Sequence, residues 1–256
     1  ALLRWAHPLR GQVPPQDFIP SAEESSLILA IGRWALDAAC DQLAAWSRQP
    51  GRGHLGIAVN VSARQFRHPE FVDGVMEAIA ASGIAPHKLK LELTETLMAD
   101  GIEVTVAKMA HLKAMGVTLS LDDFGMGYSS LAYLKRLPLD QLKIDKEFVK
   151  DVLTDAHDAA IARTIIGLAQ SLRLDVMAEG VETEAQRAFL QAHGCQGFQG
   201  FLFSEPLPIE ALEAWIDRGG QSMWRFARDM GMAEVVWTET PDPFTNINDH
   251  AALAQA

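Results

Sequence analysis

Asp122 and Asp123 stand side by side at the end of an apolar run, Val117-Thr118-Leu119-Ser120-Leu121, and the glycine-containing stretch Phe124-Gly125-Met126-Gly127 follows. Adjacent ionised carboxylates repel, and holding both charged beside a sheet requires a cation or a basic partner. Taken alone, such a pair reads most simply as a solvated turn or a helix cap. Other strand ends in this chain are polar as well: Asn60, Glu92, Lys143 and Glu179 each close an apolar stretch. Carboxylates and an amide oxygen are hard ligands that suit Mg²⁺ or Mn²⁺, whereas the eight histidines form no cluster of the kind zinc prefers. Adjacent aspartates can contact two cations, one bridging both, and a two-cation centre suits phosphodiester hydrolysis.

These side chains meet only if the strands that carry them share a sheet. Helix and strand signals alternate along the chain. Strands are predicted near 56–62, 88–94, 117–122, 141–145 and 174–179, with a strand pair around 195–203. Helices are predicted near 22–47, 69–82, 102–115, 130–136, 156–172, 184–193 and 208–217, and the opening residues 1–5 read as the middle or end of a strand. Parity places Leu89, Leu91 and Leu93 on one face and Lys90, Glu92 and Thr94 on the other. In the same way Thr118, Ser120 and Asp122 share a face, as do Gln141, Lys143 and Asp145, and Asp175, Met177 and Glu179. A parallel strand between two helix layers is apolar on both faces. One polar face repeated in strand after strand instead predicts a barrel interior with a solvated site at its mouth, with an open doubly wound sheet as the alternative.

Composition sets the outer limits. A chain of 256 residues with 48% hydrophobic content and mean hydropathy +0.03 has the make-up of a water-soluble globular protein with one sizeable core. No apolar stretch reaches membrane-span length and no segment resembles a signal peptide. Cys40 and Cys195 are the only cysteines and have no metal-ligand spacing, which predicts free thiols in a reducing cytoplasm. A net charge of −11 disfavours DNA or RNA polymers as partners, which call for a basic face. No Gly/Ser/Pro-rich linker interrupts the alternation, so a barrel domain over 1–222 is expected, with a C-terminal helix and polar tail of no assigned role over 223–256.

Seven segments in order resemble the EAL family of cyclic di-GMP phosphodiesterases. They are Ala1-Leu2-Leu3-Arg4-Trp5, Asn60-Val61-Ser62, Glu92-Leu93-Thr94-Glu95, Asp122-Asp123-Phe124-Gly125-Met126-Gly127-Tyr128-Ser129-Ser130-Leu131, Lys143-Ile144-Asp145, Ala178-Glu179-Gly180-Val181-Glu182 and Gln199-Gly200-Phe201-Leu202-Phe203-Ser204-Glu205-Pro206. The resemblance implies an α/β fold, a TIM-type (β/α)8 barrel with one antiparallel strand. It implies hydrolysis of cyclic di-GMP to linear 5′-pGpG with Mg²⁺ or Mn²⁺, two per site, the alternative being an inactive cyclic di-GMP receptor. By the same resemblance Asn60, Glu92, Asp122, Asp123 and Glu179 match the metal ligands, and Lys143, with Glu179 and Gln199, the catalytic set. Arg4, Gln199 and Glu182 match substrate-facing positions, and Glu95 matches a residue that holds the loop beginning at Asp123. Lys143 matches the lysine that positions or deprotonates the attacking water: beside two cations it would have a lowered pKa, consistent with a base, the alternative being that it only orients the water and balances charge. The family also implies a homodimer through the 123–136 segment, an upstream sensory or GGDEF domain, and no membrane contact by this domain. Two departures are visible. The glutamate that names the motif would lie directly before Ala1, which predicts a sequence trimmed at its start, and Met126 replaces a small or hydroxyl residue.

Overall fold

The structure, a computed structural model, describes residues 1–9, 11–98, 101–125 and 131–217. In chain order the elements are β1 (Trp5–His7), β2 (Gly11–Val13), α1 (Pro15–Glu24), α2 (Leu27–Ser47), β3 (Ile57–Val61), α3 (Ala63–Arg67), α4 (Phe71–Ser82) and β4 (Leu89–Thr94). There follow α5 (Ile102–Ala114), β5 (Thr118–Phe124), α6 (Leu131–Leu134), β6 (Gln141–Ile144), α7 (Lys146–Lys150), α8 (Ala156–Leu172), β7 (Asp175–Ala178), α9 (Glu184–Ala192), β8 (Gly197–Phe198) and α10 (Ile209–Asp217). Contacts divide the chain into a compact unit over 1–206 and a second over 207–256, of which α10 is the described part.

Strands β3 to β8 pair in chain order, every pair parallel. A doubly wound sheet reverses its strand order at a switch point; this sheet never does, so it is the singly wound, TIM-like arrangement. Antiparallel pairing among the described strands is confined to the separate β1–β2 ribbon. Helices return the chain between successive parallel strands and cover the outward leucines: Leu89, Leu91, Leu93, Leu119, Leu121 and Leu142 are all buried. Burying each leucine contributes about 1.5–3 kcal/mol, which fixes the register, because a one-residue slip would exchange these leucines for polar or charged neighbours. The opposite parity carries the polar interior. Lys90 Nζ donates to Gln141 Oε1 at 2.9 Å, and Ser120 Oγ lies 3.3 Å from the same oxygen. This layer lies two residues before Glu92, Asp122 and Lys143 on three neighbouring strands, directly beneath the strand ends.

Local signals set the helix limits. Asp155 caps α8 through His157 N–H and Asp158 N–H, and Thr183 with Gln186 forms a reciprocal capping box on α9. The single helix predicted over 22–47 is in fact two. The break falls at Ser26, whose φ of 64° is left-handed, and Arg64 binds the Glu23 and Glu24 carbonyls and Ser26 Oγ there. That anchor comes from α3, about forty residues away in the chain, and no local pattern announces it. Of the strand pair expected around 195–203, only Gly197–Phe198 is a strand; the chain then turns back on Val181. Met126 and residues 223–256 lie outside the described residues.

Candidate functional site

The parallel register sets Asn60 beside Glu92, and Thr94 beside Asp122, at the C-terminal ends of β3, β4 and β5. Lys143, near the end of β6, is 2% exposed and reaches across the interior. Its Nζ lies 3.0 Å from Glu92 Oε1, 3.0 Å from Asp122 Oδ1 and 2.5 Å from Glu179 Oε1. One ammonium thus joins carboxylates from β4, β5 and the turn after β7. Burial opposes the charge on Lys143, but Glu92, Glu179 and Asp122 outweigh it and raise its pKa above the ordinary lysine value. The lowered pKa expected for this lysine belonged to a site holding two cations; among these carboxylates alone the shift is upward.

Asp122 and Asp123 diverge despite being neighbours. The β5–β6 register shifts between Leu121 and Phe124, and within that irregularity Asp123 adopts a left-handed φ of 53°. Asp122 therefore stays buried on the inner face while Asp123 turns outward into an exposed position. Asp122 Oδ1 accepts the Asp123 N–H at 3.0 Å as well as the Lys143 ammonium. The Asp123 carboxyl titrates at about 6, raised by partial burial, by the charge of Asp122 and by a shared hydrogen bond with Asp145. Glu179 is also raised: burial and the charges of Asp122 and Glu92 outweigh the pull of Lys143.

Asp145 received no role from its sequence, although it shares parity with Gln141 and Lys143. It is buried, and its Oδ1 caps α7 by accepting the Glu147 N–H at 2.7 Å while its carboxyl meets Asp123. Three of the carboxylates, Glu92, Asp122 and Glu179, thus share the Lys143 ammonium, with Asp123 and Asp145 beside them. Oxygens of Asp122, Asp123 and Glu179 come within 4.8 Å of one another, close enough for one ion to take a ligand from each. All are hard oxygen donors and negative charge is in excess, so the set fits a divalent cation of the Mg²⁺ or Mn²⁺ class.

Close backbone packing holds the acidic residues in place. A Cβ on Gly180 would stand 2.6 Å from Lys146 Cβ, and one on Gly200 only 2.3 Å from the Val181 carbonyl oxygen. With Val181 N–H bound to Gln199 O and Leu202 N–H to Val181 O, the Glu179 turn and the Gln199 loop form one tight unit. Glu95, buried at the start of a 3₁₀ turn, accepts the Gly125 N–H through Oε2 at 3.4 Å. The remaining expected residues are more open. Asn60, Gln199, Glu182 and Arg4 are exposed, and the Arg4 guanidinium donates to the Leu3 carbonyl. Ala1 N donates to Ala58 O and lies within electrostatic reach of Glu92 and Lys143, so the first residues run past the site. A groove lined by Arg33, Phe71, Asp73 and Glu77 lies on outer helices and shares no residue with this site. No helix among the described residues is long and apolar enough to cross a membrane.

Comparison with known proteins agrees with this geometry. A family profile described as EAL domain matches residues 1–206, the span of the first compact unit. The chain is 47% identical over 214 residues to the bifunctional diguanylate cyclase/cyclic di-GMP phosphodiesterase MucR of Pseudomonas aeruginosa, covering 84% of this chain and 31% of that protein. It is 44% identical over 216 residues to the cyclic di-GMP phosphodiesterase NbdA of the same organism, covering 84% and 28%. The chain therefore spans a third or less of the length of these curated relatives. Among solved structures, a PaMucR phosphodiesterase in complex with c-di-GMP superimposes with a TM-score of 0.80 at 47% identity, covering 83% of this chain and 85% of that one.

Proposed function

The chain belongs to the EAL domain family, and on that footing we propose that it hydrolyses cyclic di-GMP to linear 5′-pGpG with Mg²⁺ or Mn²⁺. The observation that carries this reading is the convergence of Glu92, Asp122 and Glu179 on Lys143 at the strand ends, with Asp123 beside them. Asn60, Glu92, Asp122, Asp123 and Glu179 would hold the cations, with Asp145 steering Asp123. When bound, such cations lower the pKa of water and stabilise charge on phosphate oxygens.

The chain's own residues account for the rest. Water attacks phosphorus, the P–O3′ bond breaks, and the departing 3′ oxygen takes up a proton, leaving a 5′-phosphate. Lys143, beside Glu92, Asp122 and Glu179 at the strand ends, orients the water and offsets phosphate charge. Glu179, beside Lys143 on the turn after β7, is placed to receive the proton from water. Gln199 is presented to the same mouth by the Gly200–Val181 contact, and Glu182 follows on the Glu179 turn. Arg4 and the other exposed residues at the opening face the dinucleotide.

The cytoplasm suits the two buried free thiols, Cys40 and Cys195. A homodimer would use the 123–136 segment together with the exposed Val104 and Tyr133 and the Arg136–Glu103 pair. An upstream sensory or GGDEF domain accords with how little of its relatives' length this chain covers. Incubating the full-length protein with cyclic di-GMP and Mg²⁺, and separating the products, tests the reading: linear 5′-pGpG is expected. Binding without any linear product would identify a receptor instead.

A further inference from the structure

We infer that Lys143 acts as an internal counter-cation, occupying the ligands' charge in the metal-free protein and competing with the first divalent ion to arrive. The inference rests on the metal-dependent reading above and deepens it. The Lys143 ammonium, 2% exposed, sits 3.0 Å from Glu92 Oε1, 3.0 Å from Asp122 Oδ1 and 2.5 Å from Glu179 Oε1. Asp122 and Glu179 also belong to the group whose oxygens close within 4.8 Å. A cation of this class binds oxygen at about 2.0–2.2 Å, so an ion using the same oxygens would overlap or adjoin the ammonium. Each carboxylate keeps a second oxygen for an ion, but two positive charges a few ångströms apart repel. Asp122 Oδ1 is already shared between Lys143 and the Asp123 N–H, which leaves that oxygen little capacity for a third partner.

Two opposed effects decide the outcome of removing Lys143. If it mainly gathers the ligands, its loss loosens the site and weakens metal binding. If it mainly competes, its loss strengthens binding. The carboxylates rest on neighbouring strands in fixed register, and the turn bearing Glu179 is braced by Gly180 against Lys146 and by Gly200 against Val181, so the backbone that carries them is set without the ammonium. Competition therefore dominates. A unit charge within a few ångströms, at an effective dielectric near 20, changes the affinity of a divalent ion by at least roughly tenfold.

The test is Mn²⁺ binding to metal-free full-length protein at pH 8, followed by calorimetry and by the electron-spin signal of free Mn²⁺, in wild type, Lys143→Met and Lys143→Gln. Both variants are expected to bind Mn²⁺ about tenfold or more tightly than wild type, and to melt lower without metal but gain more on adding it. Wild-type-like or weaker binding in folded variants overturns the inference and leaves the metal reading intact. Absence of Mn²⁺ binding in wild type and variants alike overturns the metal reading and the inference with it. Should neither variant fold, the wild type still decides: the ¹⁵Nζ resonance of Lys143 is expected to shift during Mg²⁺ titration, and a resonance unchanged through saturation overturns the inference.

Discussion

Asp123→Asn is expected to abolish turnover and yet make the metal-free protein more stable. Asp123 sits at φ 53°, and asparagine tolerates left-handed backbone at least as well as aspartate, so the substitution adds no strain. What it removes is a charge pressed against Asp122 and Asp145. A carboxyl that titrates at about 6 in the folded chain, against an ordinary 3.8, would oppose folding by about 3 kcal/mol at pH 8 if fully buried. Asp123 is exposed, and solvent screening reduces this to about 1 kcal/mol. Because the folded-state pKa is raised, wild-type stability falls as pH climbs from 3.8 through about 6 and is level above that. The variant's advantage should therefore be absent below pH 4 and complete by pH 7. Thermal melts in chelator should show Asn ahead by about 2–4 °C at pH 8 and level with wild type at pH 4. Adding Mn²⁺ should reverse the order, because the variant has lost a ligand. A variant less stable than wild type in chelator at pH 8, or an advantage independent of pH, would refute the electrostatic account of the pair.

Asp140→Ala loses the Lys113 ion pair and the Oδ2 acceptor for the Leu119 N–H at 2.8 Å, away from the site. Urea unfolding should show a loss of about 1–3 kcal/mol while kcat is unchanged. Gly200→Ala should drive the Gln199 loop off Val181, destabilising the fold by about 2 kcal/mol or more in urea and lowering kcat together. Chelation should abolish turnover with little change in far-ultraviolet circular dichroism, and Mg²⁺ or Mn²⁺, but not Na⁺, should restore it.

Much of the fold can be read from parity. Leucines at 89, 91 and 93 against polar 90, 92 and 94 specify a strand with one buried apolar face, and the same alternation in β5 and β6 places Asp122 and Lys143 on the inside. The local signals that end helices, such as Asp155 and Thr183, are equally plain. What parity does not carry depends on contacts between distant parts of the chain. The break at Ser26 is held by Arg64, and the role of Asp145 emerges only where β6 meets the displaced end of β5. The left-handed φ at Asp123 is the sharpest case: parity sets Asp122 on the inner face and Asp123 one step on at the root of the loop, but nothing in an Asp-Asp pair announces the backbone turn that separates them. That turn makes Asp122 a fixed inner carboxylate and Asp123 an outer one set by the loop.

The most direct measurement of the central claim is hydrolysis of cyclic di-GMP by the full-length protein with Mg²⁺ in ¹⁸O-labelled water, read by mass spectrometry of the product. Attack of water on phosphorus with P–O3′ cleavage places one ¹⁸O in the terminal 5′-phosphate of linear pGpG. No linear product, or label found on the 3′ hydroxyl, would contradict it.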